Sequence, residues 1–149
     1  MRPLPPPMPR AIPPWAGPLQ AMERALREQR RSAATQAWEK AHRAALDDPG
    51  WEGLLQAGHG RLRLDEGNRD LVDGRAITRR LYSAALFRAS RNRDPDGILA
   101  VAAAFDRLGD RDVVAECLAL VTVLPGSDGA QSRLRALLGP ETSLREGDP

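Results

Sequence analysis

The segment FDRLGDRD, residues 105 to 112, sets Asp106, Asp110 and Asp112 around a Leu-Gly pair. Clustered carboxylates are the raw material of acid–base and metal chemistry, but either role needs further groups. The two histidines, His42 and His59, fall in different helical patterns, and neither has a Cys or carboxylate at i+3 or i+4 to complete a metal set. Cys117 lies mid-helix between apolar residues and reads as an inert buried thiol. No Gly-x-Ser-x-Gly, phosphate-loop or dinucleotide fingerprint occurs. Neither a catalytic set, a metal site nor a cofactor is therefore assigned, and the expectation is a protein that is not an enzyme. FDRLGDRD reads instead as a joint between helices. Phe105 and Leu108 face a core, and Gly109 terminates the first helix in a left-handed conformation. Asp110 or Asp112 caps or favours the positive end of the next helix. Asp106 and Arg107 are left to meet a ligand.

The elements that would position these groups are helical. Of 149 residues, 42% are hydrophobic but only 4% aromatic, so the core is built from small aliphatic side chains that suit close-packed helices. A helix beginning at Pro18 or Leu19 and ending near Ser32 places Leu19, Met22 and Leu26 on one face. A second follows with Ala34, Trp38, Ala41 and Ala45 aligned, ending at Pro49; one helix over 19–46 is the competing reading, since no Pro or Gly separates the two. WEGLLQAGHGRLRL is helical in period despite Gly53, Gly58 and Gly60, each costing roughly 1 kcal/mol relative to alanine, which points to close approach by a neighbour. DEGNRDLVDG is a loop. RAITRRLYSAALFRASR is apolar on nearly all sides and reads as a centrally buried helix. ILAVAAAFDRL, RDVVAECLALVTVL and AQSRLRALL complete about seven helices with no strand, an all-α fold.

One domain fits this length. Residues 1–18 carry eight prolines and form a polyproline-type or disordered arm, 19–139 the helical domain, and 140–149 a flexible tail. Three readings of the arm stand: a plain tail, a ligand for a partner's aromatic groove, or a strap folding back on Trp15. In the latter two Trp15 is a candidate partner or anchor residue. The net charge is +2, and apart from Lys40 every basic side chain of the Lys/Arg class is arginine. A lone cysteine permits no internal disulfide, and neither a signal peptide nor a membrane span is found, so a soluble cytoplasmic protein is expected.

ILAVAAAFDRLGDRDVVAECLALVTVLP supplies Ile98, Val101, Ala102 and Phe105, then Val114, Leu118 and Pro125, and resembles one tetratricopeptide unit. Ala34, Trp38 and Ala41, and Ile77, Leu81 and Ala84, carry second-helix spacing, while Leu54, Ala57 and Gly58 fit a first helix. Gly58 and Ala102 lie 44 residues apart where a unit has about 34, which places an insertion at DEGNRDLVDG. The resemblance implies a short α-solenoid of antiparallel helix pairs whose first helices line a concave groove for a protein segment. It implies groove positions at Leu55, His59 and Leu62 on one first helix and at Leu99, Ala103, Asp106 and Arg107 on another. With leucine, histidine and alanine there in place of a lysine and asparagine carboxylate clamp, an apolar or amphipathic ligand is implied.

The expected role is that of an adaptor, assembly chaperone or accessory subunit whose partner is another protein or a multisubunit complex, with no small-molecule substrate. The alternative is association with nucleic acid through Arg75, Arg79, Arg80, Arg88, Arg91 and Arg93, although these lack interleaved aromatic residues for base stacking and have Asp94 and Asp96 to pair with.

Overall fold

The computed structural model describes residues 2–5, 12–66 and 72–139. Seven helices and no strand occur among them: α1 (Ala16–Arg27), α2 (Arg31–Asp47), α3 (Glu52–Asp65), α4 (Val72–Arg91), α5 (Pro95–Arg107), α6 (Arg111–Thr122) and α7 (Asp128–Leu138). Each helix packs on the ones before and after it, α1 also meets α3, and α5 also meets α7. The polar stretch after α3 was expected to be a loop throughout, but Val72, Asp73 and Gly74 already belong to α4; residues 67–71 and the 140–149 tail lie outside the described residues.

Helix 19–46 is divided, and the divider is not a glycine. Gln29 sits at φ 60°, Gln29 N–H donates to the Leu26 carbonyl at 3.1 Å, and Arg30 N–H donates to the Ala25 carbonyl at 2.8 Å. That pair of bonds is a Schellman termination, which satisfies the carbonyls that a helix end leaves unpaired. It recurs at Arg93, φ 53°, with Arg93 to Ser90 and Asp94 to Ala89, both 3.0 Å. Gly109, φ 84°, closes α5 in the same way, with Gly109 to Asp106 at 2.9 Å and Asp110 to Phe105 at 3.0 Å. Only the last has the residue type that adopts this conformation without steric cost.

The start of α1 departs from expectation, and the start of α6 meets it with one difference. α1 begins at Ala16, ahead of Pro18, so the helical region starts inside the segment read as an arm. Asp110 and Asp112 stand at the N-cap and in the first turn of α6, where carboxylates were expected to favour the helix's positive end, but Asp110 makes no side-chain capping bond; its carboxylate takes two bonds from Arg79, 2.8 Å from Nε and 3.1 Å from Nη2.

α4 is not surrounded by core. Thr78, Leu81, Tyr82, Ala85 and Ala89 form one buried face, while Phe87 on the outer side is 66% exposed. Two of its arginines, Arg79 and Arg88, bind inward rather than to Asp94 or Asp96, while Arg75, Arg80 and Arg91 are exposed. Arg79 pairs with Asp110, and the Arg88 guanidinium donates to the carbonyls of Ala45, Leu46, Asp48 and Gly50 at the C-terminal end of α2. A cation there completes orphan carbonyls and opposes the negative end of the helix dipole. Arg31 does the same for α3, donating to Leu64 and Glu66 carbonyls at 3.2 and 3.0 Å.

Asp94 has another use. Its Oδ2 accepts the Trp51 indole N–H at 2.8 Å and its Oδ1 accepts Gly97 N–H at 3.0 Å, capping α5. Asp48 accepts an indole in the same way one junction earlier, taking the Trp15 N–H at 3.2 Å, but its second bond, from Gly50 N–H at 3.2 Å, closes the loop before α3 rather than capping the helix. In each case the indole lies on a glycine in the first turn of the next first helix. A Cβ on Gly53 would fall 2.6 Å from Trp15, and one on Gly97 would fall 2.6 Å from Trp51. Glycine is required at both positions by this close approach, as the sequence pattern implied for Gly53.

Candidate functional site

A cleft of about 400 Å³ opens between α1 and α3. Its floor is Leu19, Met22 and Gly60. Gly60 allows the two helices to approach, because a Cβ there would lie 3.1 Å from Leu19 and 3.2 Å from Trp38. Trp38 supports the floor from α2, its indole donating to the Ala57 carbonyl at 2.8 Å, with the Arg61 guanidinium 5.1 Å from the ring centroid. Gln20 and Gln56 stand exposed on the two walls, each three residues beyond its helix's first-turn glycine. Glu23 and Arg63 bridge the cleft with a 2.9 Å ion pair.

His59 closes the end of the cleft nearer α5. Its Nδ1 is 2.7 Å from the Tyr82 hydroxyl, which arrives from α4 beneath Gly58. A Cβ on Gly58 would overlap the Tyr82 ring at 2.4 Å, and Tyr82 continues edge-on to Phe105 with centroids 5.6 Å apart. Burial, and secondarily the Arg107 cation, lower the His59 pKa below its usual 6.5. Burial pushes the Tyr82 phenol up to about 12, with Arg107 acting in the opposite direction. Both groups are uncharged at neutral pH and form a polar hydrogen-bonding pair. Burial, with Glu116 adding to it, raises the Cys117 thiol to about 11, which leaves it in the unreactive thiol form. Among the described residues no group of three His, Cys, Asp or Glu side chains gathers to hold a metal ion, and no helix is long and apolar enough to cross a membrane.

The expected groove residues divide between two places. His59 lines the α1–α3 cleft, whereas Leu99 lines a separate opening between α5 and α7. Leu55 is only 4% exposed and packs in the core, which removes it from the ligand-facing surface. Leu62 is half-buried against the same core. Ala103 and Asp106 are half-buried and Arg107 is exposed. The Arg107 cation lies near enough to act electrostatically on His59 and Tyr82. Trp15 is half-buried and committed to Gly53 and Asp48 within its own chain.

The sequence reading missed Leu19, Gln20, Met22, Gln56 and Arg63. A signal for them was present in the repeated spacing Trp-x-Gly-x-x-Gln, residues 15–20 and 51–56, which sets the two helices in register. No match was found for the chain among protein-family models, curated proteins or solved structures.

Proposed function

We propose that the chain is a non-catalytic, tetratricopeptide-like α-solenoid that serves as an adaptor, assembly chaperone or accessory subunit, holding a segment of a partner protein in the α1–α3 cleft. The observation that carries this reading is the cleft itself. An apolar floor of Leu19, Met22 and Gly60 between two amide side chains, Gln20 and Gln56, suits an amphipathic segment whose apolar residues turn inward and whose peptide groups meet the amides. The neutral His59–Tyr82 pair adds one directional polar contact at the cleft's end without the cost of desolvating a charge.

The reading is tested by affinity purification of the tagged full chain from its native source, in parallel with a Gln20→Arg, Gln56→Arg variant. Both side chains are exposed, so the variant keeps its fold while placing two bulky cations across the cleft. A stoichiometric partner recovered with the unaltered chain and lost with the variant supports the proposal. Identical recovery from both, or no stoichiometric protein from either, refutes it.

A further inference from the structure

Among the described residues of the helical region, the exposed large apolar side chains are Leu46, Phe87, Leu120 and Val123, and all belong to α2, α4 or the α6 end. Two of these helices combine them with charge of opposite sign. On α4, Arg80, Ala84, Phe87 and Arg91 follow the spacing i, i+4, i+7, i+11 and share one face. On α6, Asp112, Glu116, Leu120 and the C-cap residue Val123 follow i, i+4, i+8, i+11. Phe87 and Val123 are 66% and 75% exposed. The four charged side chains are exposed as well, and none makes an ion pair among the described residues. Arg91 shares an opening with Leu46, Asp47 and Asp48 and still pairs with neither carboxylate.

We infer that the α4 face of one chain docks on the α6 face of a second copy. The occupant follows from charge complementarity: one face is apolar and cationic, the other apolar and anionic, and the same chain carries both. With the helices antiparallel and Phe87 set against Leu120, a turn to either side brings Arg91 to Glu116 and Ala84 to Val123. In that register Arg80 stands beside the C-terminal end of α6, where a cation opposes the negative end of the helix dipole. An apolar centre edged by opposite charges is the composition of a specific interface. Around a two-fold axis the contact is made twice, because each copy offers both faces.

Other occupants leave part of this surface unused. An acidic segment of a different protein would cover α4 and leave Leu120 and Val123 in water. Nucleic acid would meet the α4 cations, but Phe87 is the one exposed aromatic ring there, and the carboxylates of α6 would repel phosphate. A second copy covers both faces. No residue of the α1–α3 cleft belongs to either stripe, so the inference stands or falls separately from the role proposed for that cleft.

The test is sedimentation equilibrium of the full chain from micromolar to millimolar concentration. The expected result is a mass that rises from one chain to two, with association weakening as salt is raised. Phe87→Ala, an exposed position, is expected to weaken it at least about tenfold. Two charge reversals complete the test: Arg80→Glu with Arg91→Glu, and Asp112→Arg with Glu116→Arg. Each reversed chain presents like charges to its own copy and should stay monomeric, whereas an equimolar mixture presents opposite charges at both contacts and should restore the dimer. A single-chain mass at every concentration would overturn the inference, as would association unchanged in Phe87→Ala and in both reversed chains. A mixture that stays monomeric, although both components melt as cooperatively as the unaltered chain, would overturn the pairing of α4 with α6. A monomeric chain that binds single-stranded RNA, with binding lost in Arg80→Glu, Arg91→Glu, would give the α4 face to nucleic acid instead.

Discussion

The loops that enter α3 and α5 and the loop that enters α7 are closed in different ways. At Gly53 and Gly97 an indole lies flush on a glycine and is tied to an aspartate of the loop that enters the helix. At Gly129 the glycine faces open space, and the loop is held by Ser127 bonding to carbonyls of its own chain. The same residue therefore has two physical roles. In the closed junctions glycine is imposed by packing, since any Cβ would overlap a ring; in the open one nothing in the fold requires it.

The sharpest way to break this comparison is to empty a closed junction. Trp51→Ala removes a half-buried indole and its bond to Asp94, and is expected to cost about 3 kcal/mol by urea unfolding. Pro95→Ala at the open junction should cost far less, and equal losses would erase the distinction. Next in size is Gly97→Ala, expected to destabilise by about 2 kcal/mol through overlap with Trp51. In a Trp51→Ala background most of that penalty should vanish, and a double-mutant cycle measures the coupling directly.

Smaller is Arg79→Ala, which removes the bidentate pair joining α4 to the α5–α6 turn. The pair is partly solvent-exposed, so the expected loss in thermal unfolding is about 1 kcal/mol. At the open junction the sign reverses. Gly129→Ala should stabilise by about 0.5 kcal/mol, because it restricts the unfolded chain and meets no neighbour in the folded one. Destabilisation there would mean that Gly129 is covered in solution.

The smallest effect is on pH dependence. The folded-state pKa of His59 lies below the 6.5 of the unfolded chain, so below that pH the unfolded state binds protons that the folded state refuses. Stability is expected to fall as pH decreases through 6.5 and to level off below the lowered folded value. His42, whose pKa burial also lowers, adds in the same direction. Unfolding followed between pH 7 and 5 should show a shallower slope in His59→Gln, if the Tyr82-facing position is what depresses the pKa.

Much of the architecture was legible from period and punctuation. The aligned small and aliphatic residues Ala34, Trp38, Ala41 and Ala45 are all buried on one face of α2, and Gly109 ends α5 with the positive φ that its type favours. Helix breaks near Ser32 and after Arg91 were legible, but that Gln29 and Arg93 take the left-handed positions was not, since neither residue type marks one. Asp94 read as a partner for arginine because charge is visible in sequence. That its carboxylate serves Trp51, 43 residues away, depends on which helix lies beside it. For the candidate site, His59 and Arg107 were among the groove positions that the resemblance implied, but Tyr82 was not, because it reaches His59 from the neighbouring helix α4.

By itself the sequence determined the helices, most of their buried faces and the glycines that mark close approach, because these depend on local propensity and on a period of 3.6 residues. The tertiary structure alone decided which groups face one another across helices: Trp15 on Gly53, Trp51 on Gly97, Arg88 on the end of α2, and nothing on Gly129. Those pairings depend on the relative placement of elements, a property of packing that no single helix encodes.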